Sequence, residues 1–313
     1  MGIVVIGAAF VDVKGFPNDA YIPDGRNAGR VEYVHGGVSR NVVEDIANVE
    51  LRPVYLGLVD DSPLGAAVLE KLKNHKVNCD YVRVVPDGMG TWLAVFDNNG
   101  DVAGSISKRP NLDAMMDILE EKGDEIFSQA DSIIIQVDDV NINILKKIIS
   151  LAKKHEKKLF GLVANMGIAA KRRDLFQEFD CFICNRQEAG ILFLEDFGNY
   201  TREQLRDALA EMVMKAKIPA MIVTMGGDGA VYATKDGEKG ACPARNVVVK
   251  DTTGAGDAFC AGASIGLTYG KTIAEAIEIG SHLAASVITS SENVCPRFLP
   301  REVGIDMDVE EDS

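Results

Sequence analysis

Short apolar runs alternate with amphipathic stretches along most of the chain, and this alternation narrows the possible folds more than any other feature. Apolar residues recur at helical spacing between the runs, as in Leu64, Val68 and Leu72. This strand–helix rhythm predicts an α/β fold with a doubly wound, mostly parallel sheet and helices on both faces. The runs that we interpret as buried strands are residues 3–6, 54–59, 132–136, 159–163, 181–184 and 220–224.

Two stretches do not follow this rhythm. Residues 30–34 alternate between polar and apolar side chains, and residues 91–96 and 102–106 flank a turn that contains Asn99-Gly100. The second pattern predicts an antiparallel hairpin. We expect a small β-lid, formed by about residues 13–35 and 90–109, inserted into a single α/β domain spanning residues 1–313.

The strongest motif is Asp251-Thr252-Thr253-Gly254-Ala255-Gly256-Asp257-Ala258-Phe259. It follows a predicted short strand at residues 247–250 and opens an apolar helical run. Gly254 and Gly256 would leave the N–H groups of the first helical turn accessible, and such a turn binds anions. A carboxylate beside an anion site would repel the anion, so its presence there indicates a chemical role. Asp257 could accept a proton from a hydroxyl that attacks a phosphoryl group, or it could merely complement the helix dipole.

The string at residues 251–259 resembles the C-terminal signature of the PfkB or ribokinase-like kinases. The resemblance extends from Asp12 to about Cys295. It implies the α/β fold with a β-lid, ATP as phosphoryl donor and Asp257 as the general base. It further implies that three backbone N–H groups stabilise the charge on the transferring phosphoryl group, those of Gly254, Ala255 and Gly256.

The family's N-terminal signature is matched by Gly36-Gly37-Val38-Ser39-Arg40-Asn41. Gly36 and Gly37 would let a substrate approach the backbone, although two glycines before a helix are usually only a turn. Asn41 offers a donor and an acceptor to a pair of hydroxyls. Asp12 matches the family's ligand for sugar hydroxyls, with a helix or turn cap as the alternative.

Two further matches concern metal ions. Asn185 and Glu188 match the family's Asn-x-x-Glu motif, which implies contact through water with the Mg²⁺ on the ATP phosphates. A polar turn between strand and helix is the alternative. The main-chain oxygens of Asp251 and Thr253 match the family's site for K⁺, and Thr253 is also expected beside the nucleotide.

The nucleotide side of the site is expected in two segments. Thr224, Gly226, Gly227 and Gly229 resemble the family's glycine loop, which would let ATP lie close to the backbone; a hairpin turn is the alternative. Ala285 falls where the family packs its adenine ring, although small residues there could equally belong to the core.

The substrate is less constrained by the sequence. The string Gly-Gly-Val-Ser-Arg-Asn is similar to that of the pseudouridine kinases, with Arg40 expected in the substrate pocket. We therefore favour a pseudouridine-like nucleoside, and a ribose- or fructose-type sugar is the alternative. Trp92, the only tryptophan, could stack on a sugar or base or pack against the sheet.

The net charge and the lengths of the apolar runs limit which ligands and surroundings the protein can have. The formal net charge of −14 argues against a nucleic-acid ligand, because phosphate backbones attract basic surfaces. No apolar run reaches the length that a membrane helix needs, so we expect a cytoplasmic protein. A homodimer through the lid is expected from the family and from strand edges that need covering.

Two other classes of protein fit less well. A NAD-dependent oxidoreductase needs a Gly-x-Gly-x-x-Gly turn after the first strand, and the residues from Gly7 to Asp12 lack the later glycines. A non-catalytic sugar or nucleoside sensor on the same fold would usually have lost the base or the glycines. This chain keeps Asp257, Gly254 and Gly256.

Overall fold

The computed structural model of the chain describes residues 2–138 and 140–306. The strands in this part of the chain are β1 (Val4–Ile6), β2 (Phe10–Pro17), β3 (Gly29–Gly36), β4 (Val54–Val59), β5 (Val82–Val84), β6 (Gly90–Phe96), β7 (Val102–Lys108), β8 (Ile133–Gln136), β9 (Leu159–Leu162), β10 (Cys181–Asn185), β11 (Ala220–Thr224), β12 (Ala230–Thr234) and β13 (Lys239–Cys242).

Nine of these strands form one large sheet in the order β13-β12-β11-β10-β9-β8-β1-β4-β5. The run from β11 to β5 is parallel, and β12 and β13 add an antiparallel edge. The chain first builds outward from β1 through β4 and later resumes on the other side with β8. The strand order therefore reverses beside β1, and in open α/β sheets a ligand crevice lies at such a point, outside the carboxyl ends of the strands.

Helices cover both faces of the large sheet. Val4 and Ile6 pack into one apolar cluster and Val5 into the other, because successive side chains of a strand point to opposite faces. Among the described residues, none of the helices combines the length and apolar character needed to cross a membrane. The helices are α1 (Val38–Asn48), α2 (Pro63–Asn74), α3 (Met115–Gln129), α4 (Ile142–Lys154), α5 (Met166–Ala169), α6 (Arg186–Phe193), α7 (Arg202–Ala216), α8 (Ala255–Thr268) and α9 (Ile273–Ile288).

Capping side chains set where several helices begin. Thr201 and Thr272 each accept the N–H of the third helical residue, and the side chain of that residue returns a hydrogen bond to the cap. Ser62 accepts the N–H of Gly65 in front of α2. Each such cap contributes about 0.5–2 kcal/mol.

The remaining strands form a small sheet in the order β3-β2-β6-β7. Strands β6 and β7 form an antiparallel hairpin. In its turn, Asp97 Oδ1 accepts the N–H groups of Asn99 and Asp101, and Gly100 has a φ of 86°. This is the hairpin that the two stretches flanking Asn99-Gly100 predicted.

One predicted strand does not form. Residues 243–249 pair with no other strand, although three valines in a row favour β structure. Val248 and Val249 are 83% and 61% exposed, so this segment lacks the burial that would hold it in a sheet. Directly after this segment, the N–H groups of Lys250 and Asp251 donate to the carbonyl of Ile288 at 2.9 and 3.4 Å.

Candidate active site

The central feature of the site is a carboxylate in the first turn of α8. Asp257 Oδ2 accepts a hydrogen bond of 2.6 Å from Asn41 Nδ2, which joins α8 to α1 across 216 residues of sequence. Burial raises the pKa of Asp257 to about 6; the Asn41 hydrogen bond and the Arg40 charge oppose this shift, and Asp12 adds to it. A carboxylate with such a pKa is ionised near neutral pH and is a better proton acceptor than an ordinary aspartate.

The backbone in front of Asp257 is shaped to receive an anion. Gly254 has a φ of 81°, and a Cβ there would collide with the carbonyl oxygen of Asn293. At Gly256 an added Cβ would meet no atom within 4 Å, so the space beside the turn is open. No side chain of the described residues caps the helix. The N–H of Ala255 donates to the carbonyl of Thr252 at 3.2 Å, and the other first-turn N–H groups have no side-chain cap among the described residues and remain able to bind an anion.

Asp12 lies on β2, next to the Gly36-Gly37 turn. A Cβ on Gly36 would stand 2.6 Å from Asp12 Oδ1, so the missing side chain of Gly36 makes room for this carboxylate. Burial raises the pKa of Asp12, and Lys14 and Arg40 lower it in part. Gly37 has a φ of 97°, which only glycine adopts readily. The two glycines therefore shape the protein as well as the space for a ligand.

Arg40 is fully buried, which disagrees with the expectation that it contacts substrate. Its side chain forms an ion pair with the equally buried Glu44. Its other donors reach the carbonyls of His35 and Gly36. Residue type and spacing favoured a pocket position, but they do not report which way a helical side chain points. Arg40 instead holds the turn that carries Gly36.

Asn293 is a site residue that the sequence analysis missed. Its Nδ2 donates to the carbonyl of His35 at 2.9 Å and lies 3.4 Å from Asn41 Oδ1. Its own carbonyl packs against Gly254. This residue therefore links the Gly36 turn, Asn41 and the anion site. It lies in an irregular segment without a motif, so the sequence carried no signal for it.

Asp138 is a second residue that the sequence analysis missed. It follows β8 at the carboxyl edge of the sheet, and its buried carboxylate accepts hydrogen bonds from Arg109 Nη2 at 2.7 Å and from the N–H of Ala164 at 3.0 Å. Arg109 comes directly after β7. The pair thus connects the end of the small sheet to the large sheet. Two aspartates after an apolar run give no sequence signal for this role.

Asn185 and Glu188 form a reciprocal cap at the start of α6. The N–H of Asn185 donates to Glu188 Oε2 at 2.8 Å, and the N–H of Glu188 donates to Asn185 Oδ1 at 2.9 Å. The polar-turn alternative is therefore correct for their local contacts. Burial raises the pKa of Glu188, with Asp138 and Asp257 adding to the effect, so its carboxylate also belongs to the charged surroundings of the site.

No cluster of three His, Cys, Asp or Glu side chains that could hold a metal ion occurs among residues 2–138 and 140–306. An ion that keeps most of its waters, as Mg²⁺ does, needs only one or two protein carboxylates. Glu188 fits such a contact. The proposed K⁺ segment is a tight turn in which Asp251 Oδ1 accepts the N–H of Thr253 at 2.8 Å, and this bond lowers the pKa of Asp251.

The two predicted nucleotide segments have different structures. Thr224 ends β11, and the glycines after it form a hairpin turn into β12, as the alternative held. Added Cβ atoms at Gly226 and Gly227 would meet nothing within 4 Å, whereas at Gly229 one would collide with the carbonyl of Cys242. The first two glycines therefore leave open surface. Ala285 is half-buried on α9 and not part of the core.

Comparison with known proteins gives one consistent result. A model of the pfkB family carbohydrate kinases matches residues 2–295. A guanosine-inosine kinase from Exiguobacterium acetylicum is 35% identical over 93% of this chain and 95% of its own length. A pseudouridine kinase from Escherichia coli is 24% identical over 92% of this chain and 90% of its own length.

Solved structures agree on the fold. The structure of Arabidopsis thaliana ribokinase complexed with ribose and ATP superposes with a TM-score of 0.82, at 19% identity, over 96% of this chain and 97% of that one. The predicted ribokinase-like α/β fold is thus confirmed.

Proposed function

Because this chain belongs to the pfkB family of carbohydrate kinases, and is therefore a phosphotransferase with an alcohol group as acceptor, we propose that it transfers the γ-phosphoryl group of ATP to a hydroxymethyl group of a nucleoside. One observation carries this proposal. Asp257 combines a pKa of about 6 with a place in the first turn of α8, a turn that no side chain of the described residues caps.

The residues divide the reaction between them. Asn41 and Asp12 orient the sugar hydroxyls, and Asp257 accepts the proton of the primary hydroxyl as its oxygen bonds to the γ-phosphorus. The bond from that phosphorus to the bridging oxygen breaks, and ADP leaves. The N–H groups of Gly254, Ala255 and Gly256 stabilise the negative charge on the phosphoryl oxygens during the transfer.

The nucleotide and its ions are assigned to the remaining segments. We propose that ATP lies along Thr224, Gly226, Gly227 and Gly229, with its adenine toward Ala285 and its phosphates toward Thr253. Bound Mg²⁺ neutralises phosphate charge, and Asn185 and Glu188 would hold it through its waters. The main-chain oxygens of Asp251 and Thr253 would hold K⁺. Chelation of Mg²⁺ should abolish turnover. Replacement of K⁺ by choline should lower the activity, and unchanged activity would reject the K⁺ assignment.

A purine nucleoside is the favoured substrate. The relative with 35% identity is named for guanosine and inosine, whereas the pseudouridine kinase shares only 24%. This comparison reverses the preference for pseudouridine that the Gly36–Asn41 string suggested. Pseudouridine remains the second candidate because of that string.

A substrate panel tests the proposal. With ATP, Mg²⁺ and K⁺, we expect kcat/KM for inosine and guanosine to exceed those for pseudouridine, adenosine, ribose and fructose by at least about tenfold, as differential binding of the base requires. Faster turnover of ribose or fructose would replace the nucleoside by a sugar. No turnover of any substrate in the panel, together with retained ATP binding, would favour the non-catalytic sensor.

The pH profile follows from the pKa of Asp257. Asp257 must be deprotonated to accept a proton, and its pKa is raised to about 6. We expect log kcat/KM to fall with unit slope below about pH 6 and to be level above it until other groups titrate. The measurement is kcat/KM for the best nucleoside in buffers of constant ionic strength. A level profile down to about pH 4.5 would exclude Asp257 as the group that limits the rate.

We also propose that two copies of the chain associate through the small sheet. Its outer face carries a row of apolar side chains in register, of which Tyr33 is 61%, Leu93 43% and Ile106 72% exposed. Exposed apolar strands of this kind are normally covered. Sedimentation should show a dimer, and Ile106→Lys should make it a monomer; a wild-type monomer at micromolar concentration would contradict the proposal.

A further inference from the structure

The inner face of the small sheet places the only tryptophan beside the carboxylate that is assigned to the sugar. Trp92 of β6 is the register partner of Asp12 of the neighbouring strand β2. Register partners on adjacent strands project to the same face, about 4.8 Å apart. Asp12 lies against the Gly36 turn and acts on the pKa of Asp257. Trp92 therefore stands one strand beyond Asp12, on the face turned toward the site.

The indole is held in place without being buried. It meets Phe96 edge-on, at 6.4 Å between ring centroids and 88° between planes. Phe96 in turn stacks on Phe16 at 4.8 Å, and the Arg30 guanidinium lies 4.2 Å from the centre of the Phe16 ring. Trp92 itself remains partly accessible to solvent. A rigid, accessible aromatic face at a site is what a planar ligand group requires.

The positions of the other groups decide what would lie over this indole. We place the primary hydroxyl of the substrate at Asp257 and its ring hydroxyls at Asp12. In this orientation, the substituent on the anomeric carbon points away from Asp257 and extends past Asp12. The next row toward the turn at Gly36 is filled, because the ring of Phe10 covers Gly90. Space for the substituent is therefore left over Trp92. A free sugar has only a hydroxyl at that carbon, whereas a nucleoside has a planar base.

We propose that Trp92 is the specificity-determining residue that stacks on the nucleobase, and that it selects nucleosides, purine nucleosides above all, over free sugars. This proposal rests on the function proposed above and names the residue that would set its substrate class. The fused rings of a purine overlap an indole more fully than a single pyrimidine ring does. Stacking on an aromatic side chain changes affinity by about 10- to 100-fold per base.

The first experiment uses Trp92 as its own reporter. Because the chain has one tryptophan, its indole emission reports on this position alone. The full-length protein is titrated with inosine and, separately, with ribose, with excitation at the red edge of the indole band. We expect saturable quenching by inosine and none by ribose. Equal quenching by both ligands, or none by inosine at concentrations that saturate turnover, would overturn the proposal.

Two substitutions then separate stacking from structure. Trp92→Leu should raise the KM for inosine about 10- to 100-fold and leave the KM for ATP within about twofold, whereas Trp92→Phe should restore most of the nucleoside affinity. Tyr81→Leu, at a half-buried aromatic residue outside the site whose hydroxyl donates to Glu125 at 3.0 Å, serves as the matched control and should change neither constant. An inosine KM that Trp92→Leu leaves within about twofold would reject the stacking role.

The outcomes also distinguish this proposal from the function on which it rests. If no nucleoside is phosphorylated but inosine still quenches Trp92, the kinase proposal fails and the base-binding proposal stands. If inosine is phosphorylated normally by Trp92→Leu, the kinase proposal stands and the base-binding proposal fails.

Discussion

Asp257→Asn is expected to lower kcat at least about a hundredfold while ATP binding is largely kept, because a positioned general base contributes roughly 10²–10⁴ to the rate. The substitution keeps the shape of the side chain, and its amide oxygen can still accept the hydrogen bond that Asn41 donates to Oδ2. Single-turnover rates at saturating substrate, together with a nucleotide-binding titration, measure the two effects separately. A kcat within a few-fold of the wild type would remove Asp257 from the mechanism.

The same substitution should stabilise the protein at neutral pH. Burial raises the pKa of Asp257 from 3.8 in the unfolded chain to about 6, so the folded state binds this proton more tightly. The contribution of the protonated carboxyl to stability is complete below the unfolded pKa and is lost as the pH rises through about 6. An asparagine carries no charge to desolvate, so the Tm of Asp257→Asn should exceed that of the wild type at about pH 7.5.

A matched control makes the stability result specific. Asp117→Asn changes a well-exposed carboxylate on α3, and it should leave both kcat and Tm unchanged. A Tm of Asp257→Asn well below the wild-type value would show that loss of activity reflects damage to the fold.

Arg40→Met is expected to lower the free energy of unfolding by about 3–5 kcal/mol, because it leaves the buried carboxylate of Glu44 without its main counter-charge. Lys71 lies 3.1 Å from Glu44 and is 30% exposed, so it compensates only in part. Urea unfolding followed by circular dichroism gives the value. A loss below about 1 kcal/mol would mean that the pair contributes no more than a surface ion pair does.

A double substitution tests the cause of this loss. Arg40→Met combined with Glu44→Leu removes both charges, and we expect it to recover most of the stability. Lys122→Met breaks an ion pair with Glu125 whose side chains are 52% and 46% exposed, so it should leave the free energy of unfolding almost unchanged.

Kinetics of the double variant also test the corrected position of Arg40. The Arg40 charge lowers the pKa of Asp257, so its removal should move the acid limb of kcat/KM to higher pH. A direct contact with substrate would instead raise the KM for the nucleoside with no shift of that limb. The double variant is used because it is expected to stay folded.

The parts of the fold that were predictable from the sequence are those that local chemistry determines. Central strands such as β8 bury both faces, so their apolar runs are continuous, and capping pairs such as Thr201 and Gln204 act within one turn. The strand predicted from the valines at residues 247–249 does not form, because β propensity reflects packing against neighbouring strands and burial, which this segment lacks.

The site was predictable where a motif fixes backbone geometry, as at Gly254 and Asp257. It was not predictable where contacts join distant segments. Asn293 and Asp138 act through hydrogen bonds that only the folded chain creates. Arg40 was expected at the ligand but is buried, because a motif can identify a residue without indicating whether its side chain faces the ligand or the core.

The central claim is that Asp257 activates the primary hydroxyl of a nucleoside toward ATP, and identification of the product tests it most directly. The protein is incubated with inosine and ATP, and phosphorus–proton NMR locates the new phosphate while ADP is quantified. We predict one ADP for each inosine consumed, with the phosphorus coupled only to the protons of the hydroxymethyl carbon. Phosphate on a ring hydroxyl, or inorganic phosphate released with inosine unchanged, would contradict the account.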